Sequence, residues 1–169
     1  MKKIMVIILF LISLKLSAEE WELGNFISVT PTKGTDVTFQ ILDDFDPKQR
    51  VLLGWDGDEQ LYAMAIDEQP GGLDTKKYWK GLLREIEKDA DGQKLDVAHE
   101  GEFKSNDGLT ITYKVITSKS DGEILVQIIY LIKNSKIAYW AMVIGVDVTR
   151  VNEAYQQSAS VLKTVKLTK

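Results

Sequence analysis

Two consecutive stretches near the C-terminal end restrict this chain more than anything else in it. Residues 124–132 are apolar at every position except Gln127, and residues 137–146 are built from apolar side chains and one glycine, with a short break around Asn134 and Ser135 between them. Successive side chains of a β-strand point to opposite faces of the sheet. A strand with no polar face therefore needs cover on both sides, and Tyr139 and Trp140, being adjacent, must enter different layers. The short connection makes the two strands antiparallel neighbours.

Two helical patterns can supply the covers. After the break at Pro70, Gly71 and Gly72, Asp74 or Thr75 can cap a helix whose Trp79, Leu82, Leu83 and Ile86 recur at i, i+3, i+4 and i+7. It should end near Gly92. Asp147 or Thr149 can start a second helix, with Val151, Ala154, Tyr155, Ser158, Val161 and Leu162 along one side. Upstream of the apolar pair, Leu109, Ile111, Tyr113 and Val115 alternate with Thr110, Thr112 and Lys114, which predicts a strand showing one face to water. Residues 95–103 read as a further extended stretch. Nearer the start, residues 26–30 and 36–42 predict an antiparallel hairpin around Pro31 and Gly34. Residues 51–55 and 61–66 predict another around Asp56, Gly57, Asp58 and Glu59. The expected fold is α+β, an antiparallel β-sheet meander with a helix on each face, an α/β/α sandwich.

The N-terminus addresses location. Lys2 and Lys3 precede an apolar run to Leu14, and Ser17 and Ala18 stand before the first acidic pair, Glu19 and Glu20, the layout of a secretory signal peptide over residues 1–18. Cleavage after Ala18 is expected. Retained, the run would be shorter than the ~20 residues of a spanning helix. The remaining 151 of 169 residues suit one domain with one core, residues 19–169. Three of the 21 basic residues lie in the signal, leaving 18 against 25 acidic ones, a net charge of −7. Phosphate backbones and anionic lipid surfaces would repel such a chain, so neither nucleic acid nor stable membrane insertion is expected. There is no cysteine, which removes disulfides and thiolate chemistry.

The order of elements, with Tyr78 and Trp79 in the first helix, Gly108 to Tyr113 opening the meander, Ile137 to Ala141 in its last strand and the closing run Ser160 to Leu167, resembles the PsbP-like superfamily. That superfamily is named for an extrinsic protein of the oxygen-evolving complex and is shared with DcrB-related bacterial exported proteins. The resemblance covers most of the mature chain. It implies opening hairpins, a helix, a meander and a closing helix, and a binding or accessory role without established catalysis. It carries no functional residues over to this chain.

The chemistry-bearing residues do not assemble into a catalytic set. His99 is the single histidine, so neither a polyhistidine zinc site nor a histidine-dependent triad can be completed within one chain. Ser160 and Lys163 have S-x-x-K spacing but fall near the end of a helix, where the nucleophile of that motif does not belong. Glu87, Asp89, Asp91 and Gly92 match the first half of a calcium loop, whereas Leu95 and Ala98 occupy the positions of its later ligands. Asp43, Asp44 and Asp46, with the Asp56, Asp58 and Glu59 turn, could form an oxygen-rich cation site only if their loops met; Asp and Gly are also ordinary turn residues. No metal or cofactor is expected. Of the four tryptophans, the patterns place Trp79 and Trp140 in the core. Trp55 beside Asp56 and Asp58 is the expected binding site for a partner. The function these features predict is that of an exported, periplasmic or secreted, non-enzymatic protein acting through a protein partner, as an accessory factor or a toxin-immunity protein. A small-ligand or divalent-cation binding protein using the acidic loops is the alternative.

Overall fold

The computed structural model describes residues 21–23, 27–30, 36–40, 49–69, 72, 74–89, 95–120, 123–135 and 138–167. The expected signal peptide, the Asp43, Asp44, Asp46 run, and Asp91 with Gly92 lie outside the described residues.

Seven strands form one antiparallel sheet. They are β3 (Val37–Gln40), β4 (Gln49–Asp56), β5 (Glu59–Gln69), β6 (Asp96–Lys104), β7 (Thr110–Ser120), β8 (Glu123–Lys133) and β9 (Ala138–Val146), in the order β3-β4-β5-β9-β8-β7-β6. The meander β6 to β9 thus folds back to lay β9 against β5, which joins it to the β4–β5 hairpin. Among the described residues there are two α-helices, α1 (Thr75–Asp89) between β5 and β6 and α2 (Val151–Lys163) after β9. A second, small sheet holds β1 (Trp21–Leu23), β2 (Ile27–Val29) and β10 (Lys166–Leu167).

The two helices cover opposite faces, as the apolar strand pair demands. Trp79 of α1 is buried with Leu95, Ile116, Ile129 and Leu131, and Tyr78, Leu82, Leu83, Ile86, Trp140 and Met142 pack around them. The α2 side holds the larger core. Ala154, Ala159, Val161 and Leu162 close over Ile111, Ile128, Tyr130, Ile132, Tyr139, Ala141 and Val143, and over Leu52, Tyr62 and Met64 of the hairpin. Tyr139 and Trp140 enter different layers, as adjacent strand residues must. The Asp74 carboxylate accepts from the Lys77 backbone N–H at 2.8 Å, so Asp74 caps α1. Asp147 caps the chain's other helical start. It accepts from Thr149 N at 2.7 Å and heads a single 3₁₀ turn, Val148–Arg150, that leads into α2.

Three expectations need correction. Residues 26–30 and 36–42 do not form a hairpin: β2 pairs with β1 and β10, and β3 pairs with β4. The exit of β2 is drawn to the end of α2, where Thr30 N donates to the Thr164 hydroxyl at 3.1 Å and β10 takes its edge. β3 is held instead by Trp55, whose indole N–H donates to the Thr38 hydroxyl at 2.9 Å. The Thr110, Thr112, Lys114 face of β7 is not open to water either. It is half-buried under α1, with the Trp79 indole N–H on the Thr112 hydroxyl at 3.3 Å and the Lys114 ammonium 5.5 Å from the indole centroid. Lastly, the apolar strands are covered only over part of their length. Ile124 and Leu125 are 49% and 46% exposed and Ile144 43%. The reason is length: the 15 residues of α1 run about 22 Å, whereas the 11 residues of β8 run about 36 Å.

The α2-side core is rich in phenols, and this makes the fold sensitive to alkali. Burial pushes the Tyr62 and Tyr130 hydroxyls well above the ordinary 10.0, and raises Tyr139 and Tyr155 to about 12. Tyr130 is partnered by the Ser158 hydroxyl at 2.7 Å. Because the folded state favours the neutral phenols, their stabilisation is complete below the unfolded value of 10.0 and is lost as pH rises from there towards 12. Tyrosinate absorbance and near-ultraviolet circular dichroism should therefore change together in one cooperative step above pH ~10. Full tyrosine ionisation with an unchanged dichroism spectrum would contradict this packing.

Candidate binding surface at one end of the sheet

The β4–β5 hairpin turn is carried on the end of the sheet where β5 and β8 begin and β4, β7 and β9 end. Cross-strand register places Leu53, Ala63 and Ile144 side by side on the face that α1 covers farther along. Val126 stands opposite Val146, so Ile124 and Leu125 run out beside the 3₁₀ turn. The β8–β9 register slips just after Val126, and Gly145 takes up the slip with φ of 74°, a conformation that a side chain disfavours. Leu125 and Ile144 are thus exposed on the α1 side of this end, and Ile124, on the same side of its strand as Val126, on the α2 side. Ile124, Leu125, Ile144 and Val148 make up four of the five large apolar side chains exposed among the described residues, the fifth being Val97.

A cluster of carboxylates lies between the hairpin turn and the start of α2. Arg150 at the end of the 3₁₀ turn reaches three of them: its guanidinium bonds Asp56, Glu59 at 3.2 Å and Glu153 at 2.6 Å. Glu153 and then Asp56 hold that guanidinium above its ordinary pKa. The arginine side chain is 21% exposed, and those of Asp56, Glu59 and Glu153 are 67%, 76% and 60% exposed. The cluster ties the hairpin turn to the start of α2. Asp147 lies next to it, and Thr149, first through its hydroxyl and then through its backbone N–H, keeps the Asp147 carboxyl below the usual range.

The expected site residues fall here with distinct roles. Trp55 is half-buried, and every polar group it carries is engaged: the indole N–H on Thr38, the backbone N–H on Asp36 O at 2.8 Å, and the carbonyl accepting from the Gln157 amide at 2.9 Å. It anchors β3, β4 and α2 to one another. Asp56 faces Arg150, and Asp58 is exposed at the tip of the turn. The Asp56 and Glu59 carboxylates thus meet a guanidinium. Glu87 and Asp89 occupy the last turn of α1. No group of three or more histidine, cysteine or carboxylate side chains able to hold a metal occurs among the described residues. His99 lies on the edge strand β6, its ring stacked on Tyr113 with centroids 5.7 Å apart and Nδ1 3.2 Å from the phenol oxygen.

Sequence reading missed Arg150, Ile124, Leu125, Ile144 and Val148 as site residues. Ile124, Leu125 and Ile144 looked like core because they continue core strands. For Arg150 the single available signal was Glu153 three residues on, an i,i+3 helix pair.

No known protein family matches the chain by sequence, and no curated protein does. Comparison of structures does find similar folds. The solution structure of cyanobacterial PsbP (CyanoP) from Synechocystis sp. PCC 6803 is similar with a TM-score of 0.60 at 7% identity, over 94% of this chain and 98% of that one. The crystal structure of PA94, a protein of unknown function from Pseudomonas aeruginosa, matches with a TM-score of 0.43 at 9% identity, over 84% of this chain and 93% of that one. The fold is therefore PsbP-like, a seven-stranded antiparallel sheet with two helices.

Proposed function

We propose that this chain, whose fold is PsbP-like, is an exported, non-enzymatic accessory protein that works by docking a protein partner on the sheet end bearing Ile124, Leu125, Ile144 and Val148. The observation that carries this reading is that four of the five large apolar side chains exposed among the described residues lie at this one end of the sheet, Leu125 and Ile144 on the same face. Exposed apolar side chains concentrated in this way mark an interaction surface. Trp55 and Arg150 fix the hairpin and α2 relative to the sheet at that end. Export rests on the charged, apolar and small-residue sections of residues 1–18. No helix among the described residues is long and apolar enough to cross a membrane.

Photo-crosslinking in intact cells tests this. A photoreactive residue at Leu125 should yield one discrete adduct, absent when it is placed at Lys80 on the exposed side of α1 and abolished by Ile144→Asp. N-terminal sequencing of the envelope fraction should find Glu19 first. Identical adducts at both positions, or none, would reject the docking surface; full-length protein confined to the cytoplasm would reject export.

A further inference from the structure

The outer face of α1 departs from what a merely solvated helix needs, and it is a different surface from the docking end of the sheet. Successive helix residues turn by about 100°, so Lys77, Lys80, Arg84 and Lys88 fall on one stripe opposite the packed Trp79, Leu82, Leu83 and Ile86. All four are exposed, and Lys76 extends the stripe at its start. Three features of this face weaken the helix. Lys76 with Lys80, Lys80 with Arg84 and Arg84 with Lys88 are like-charge i,i+4 pairs. Beyond the Asp74 cap, the first turn holds two lysines and no acidic residue, against the helix dipole. Gly81 sits mid-helix beside Lys77 and Arg84, where alanine would favour the helix more. A Cβ added there would meet nothing within 4 Å, so no internal contact requires the glycine. Among the described residues none of the five cations forms a salt bridge. Local choices that cost stability with no internal compensation mark a functional surface.

We infer that this stripe, about 17 Å long from Lys77 to Lys88, docks an acidic extended segment of a partner protein, with carboxylates on the four cations and its backbone lowered onto the bare helix at Gly81. Bound carboxylates relieve the like-charge pairs, and opposite sign selects the partner. The stripe is also narrow. Glu85 and Glu87 are exposed along its two margins, so a flat anionic surface would bring them against its own charge, whereas a single chain lying along the helix meets the cations alone. The 18 basic and 25 acidic residues of the mature chain oppose a broad anionic surface in the same sense. This occupant is not that of the sheet end, so its crosslinks do not coincide with the adduct formed at Leu125.

The mature protein, isotopically labelled, is titrated with a peptide of alternating glutamate and serine, with its alternating lysine and serine counterpart, and with vesicles of phosphatidylglycerol and phosphatidylcholine in equal amounts. The glutamate peptide should shift the amides of Lys77, Gly81, Arg84 and Lys88, bind at least tenfold more tightly than either other probe, and weaken as salt is raised. Two variants separate docking from damage to the fold. Lys77→Glu combined with Arg84→Glu should abolish the shifts, yet raise the melting temperature, because it replaces like-charge pairs with attractive ones. Gly81→Ala should also raise the melting temperature while weakening the glutamate peptide severalfold. A merely structural face would gain stability in both variants with no change in binding, and that result would overturn the inference. No binding of the glutamate peptide, equal binding of the lysine peptide, or shifts away from the stripe would overturn it too. Tighter binding of the vesicles would assign the stripe to a lipid surface and reject the protein segment.

Discussion

Replacing Trp79 with alanine is expected to remove about 3–5 kcal/mol of stability, the cost of deleting a buried aromatic side chain, out of a total of about 5–15 kcal/mol for a domain of this kind. The indole is 8% exposed and lies between α1 and the sheet, against Leu95, Ile116, Ile129 and Leu131. It also bonds Thr112, sits 5.5 Å from the Lys114 ammonium and meets Tyr78 edge-on at 5.7 Å between centroids. The outer side of α1 is polar, with Lys76, Lys77, Lys80, Arg84, Glu85, Glu87 and Lys88 exposed, so this apolar stripe is what attaches the helix. Trp79→Phe separates the terms. It keeps most of the ring contact and gives up the hydrogen bond to Thr112, a change of about 1 kcal/mol. Urea denaturation measures both, and amide exchange along α1 should accelerate first in the alanine variant. An alanine variant within about 1 kcal/mol of the parent would mean that α1 is held by something other than this stripe.

Much of this layering could be read from residues because it depends on short-range patterns. The break at Asn134 and Ser135 follows the end of β8 at Lys133, as expected. Trp79, Leu82, Leu83 and Ile86 form the packed face of α1, and Ala154, Ser158, Val161 and Leu162 that of α2. What escaped was set by distance along the chain. One partner of β2 is β10, and the Thr30 to Thr164 bond that seals their meeting spans 134 positions. No local pattern distinguishes that pairing from a hairpin with β3. The candidate surface shows the same division. Trp55, Asp56 and Asp58 announce a turn, but their connections to Arg150 and Gln157, 94 and 102 positions away, depend on where α2 begins once β9 has been laid beside β5. The exposure of Leu125 and Ile144 depends on helices shorter than the strands they cross, a comparison no periodicity contains.

Gly54→Ala should destabilise the protein by about 1–3 kcal/mol, and Gly54→Val by more, although glycine to alanine in an extended strand ordinarily stabilises by restricting the unfolded chain. The sign inverts because of what lies above the backbone. Gly54 faces Tyr62 across the β4–β5 register, and an added Cβ would stand 2.2 Å from Tyr62 Cε1, 2.3 Å from Cζ and 2.4 Å from Gln157 Oε1. The ring cannot swing clear, since Tyr62 is fully buried among the core residues beneath α2. Tyr62→Phe retains Cε1 and Cζ and should give no relief, whereas the shorter Tyr62→Leu should make the loss for the double variant smaller than the sum of the two single losses. Additive losses in that cycle would show that Gly54 is required for some other reason. The same glycine bears on the docking surface, because Gln157 is the residue that holds the Trp55 carbonyl and, with it, the end of the hairpin that presents Asp56 and Asp58. Displacing Gln157 by a methyl group at position 54 should therefore weaken capture at Leu125 even at temperatures where Gly54→Ala is fully folded. A stabilising second change far from the hairpin would not restore it.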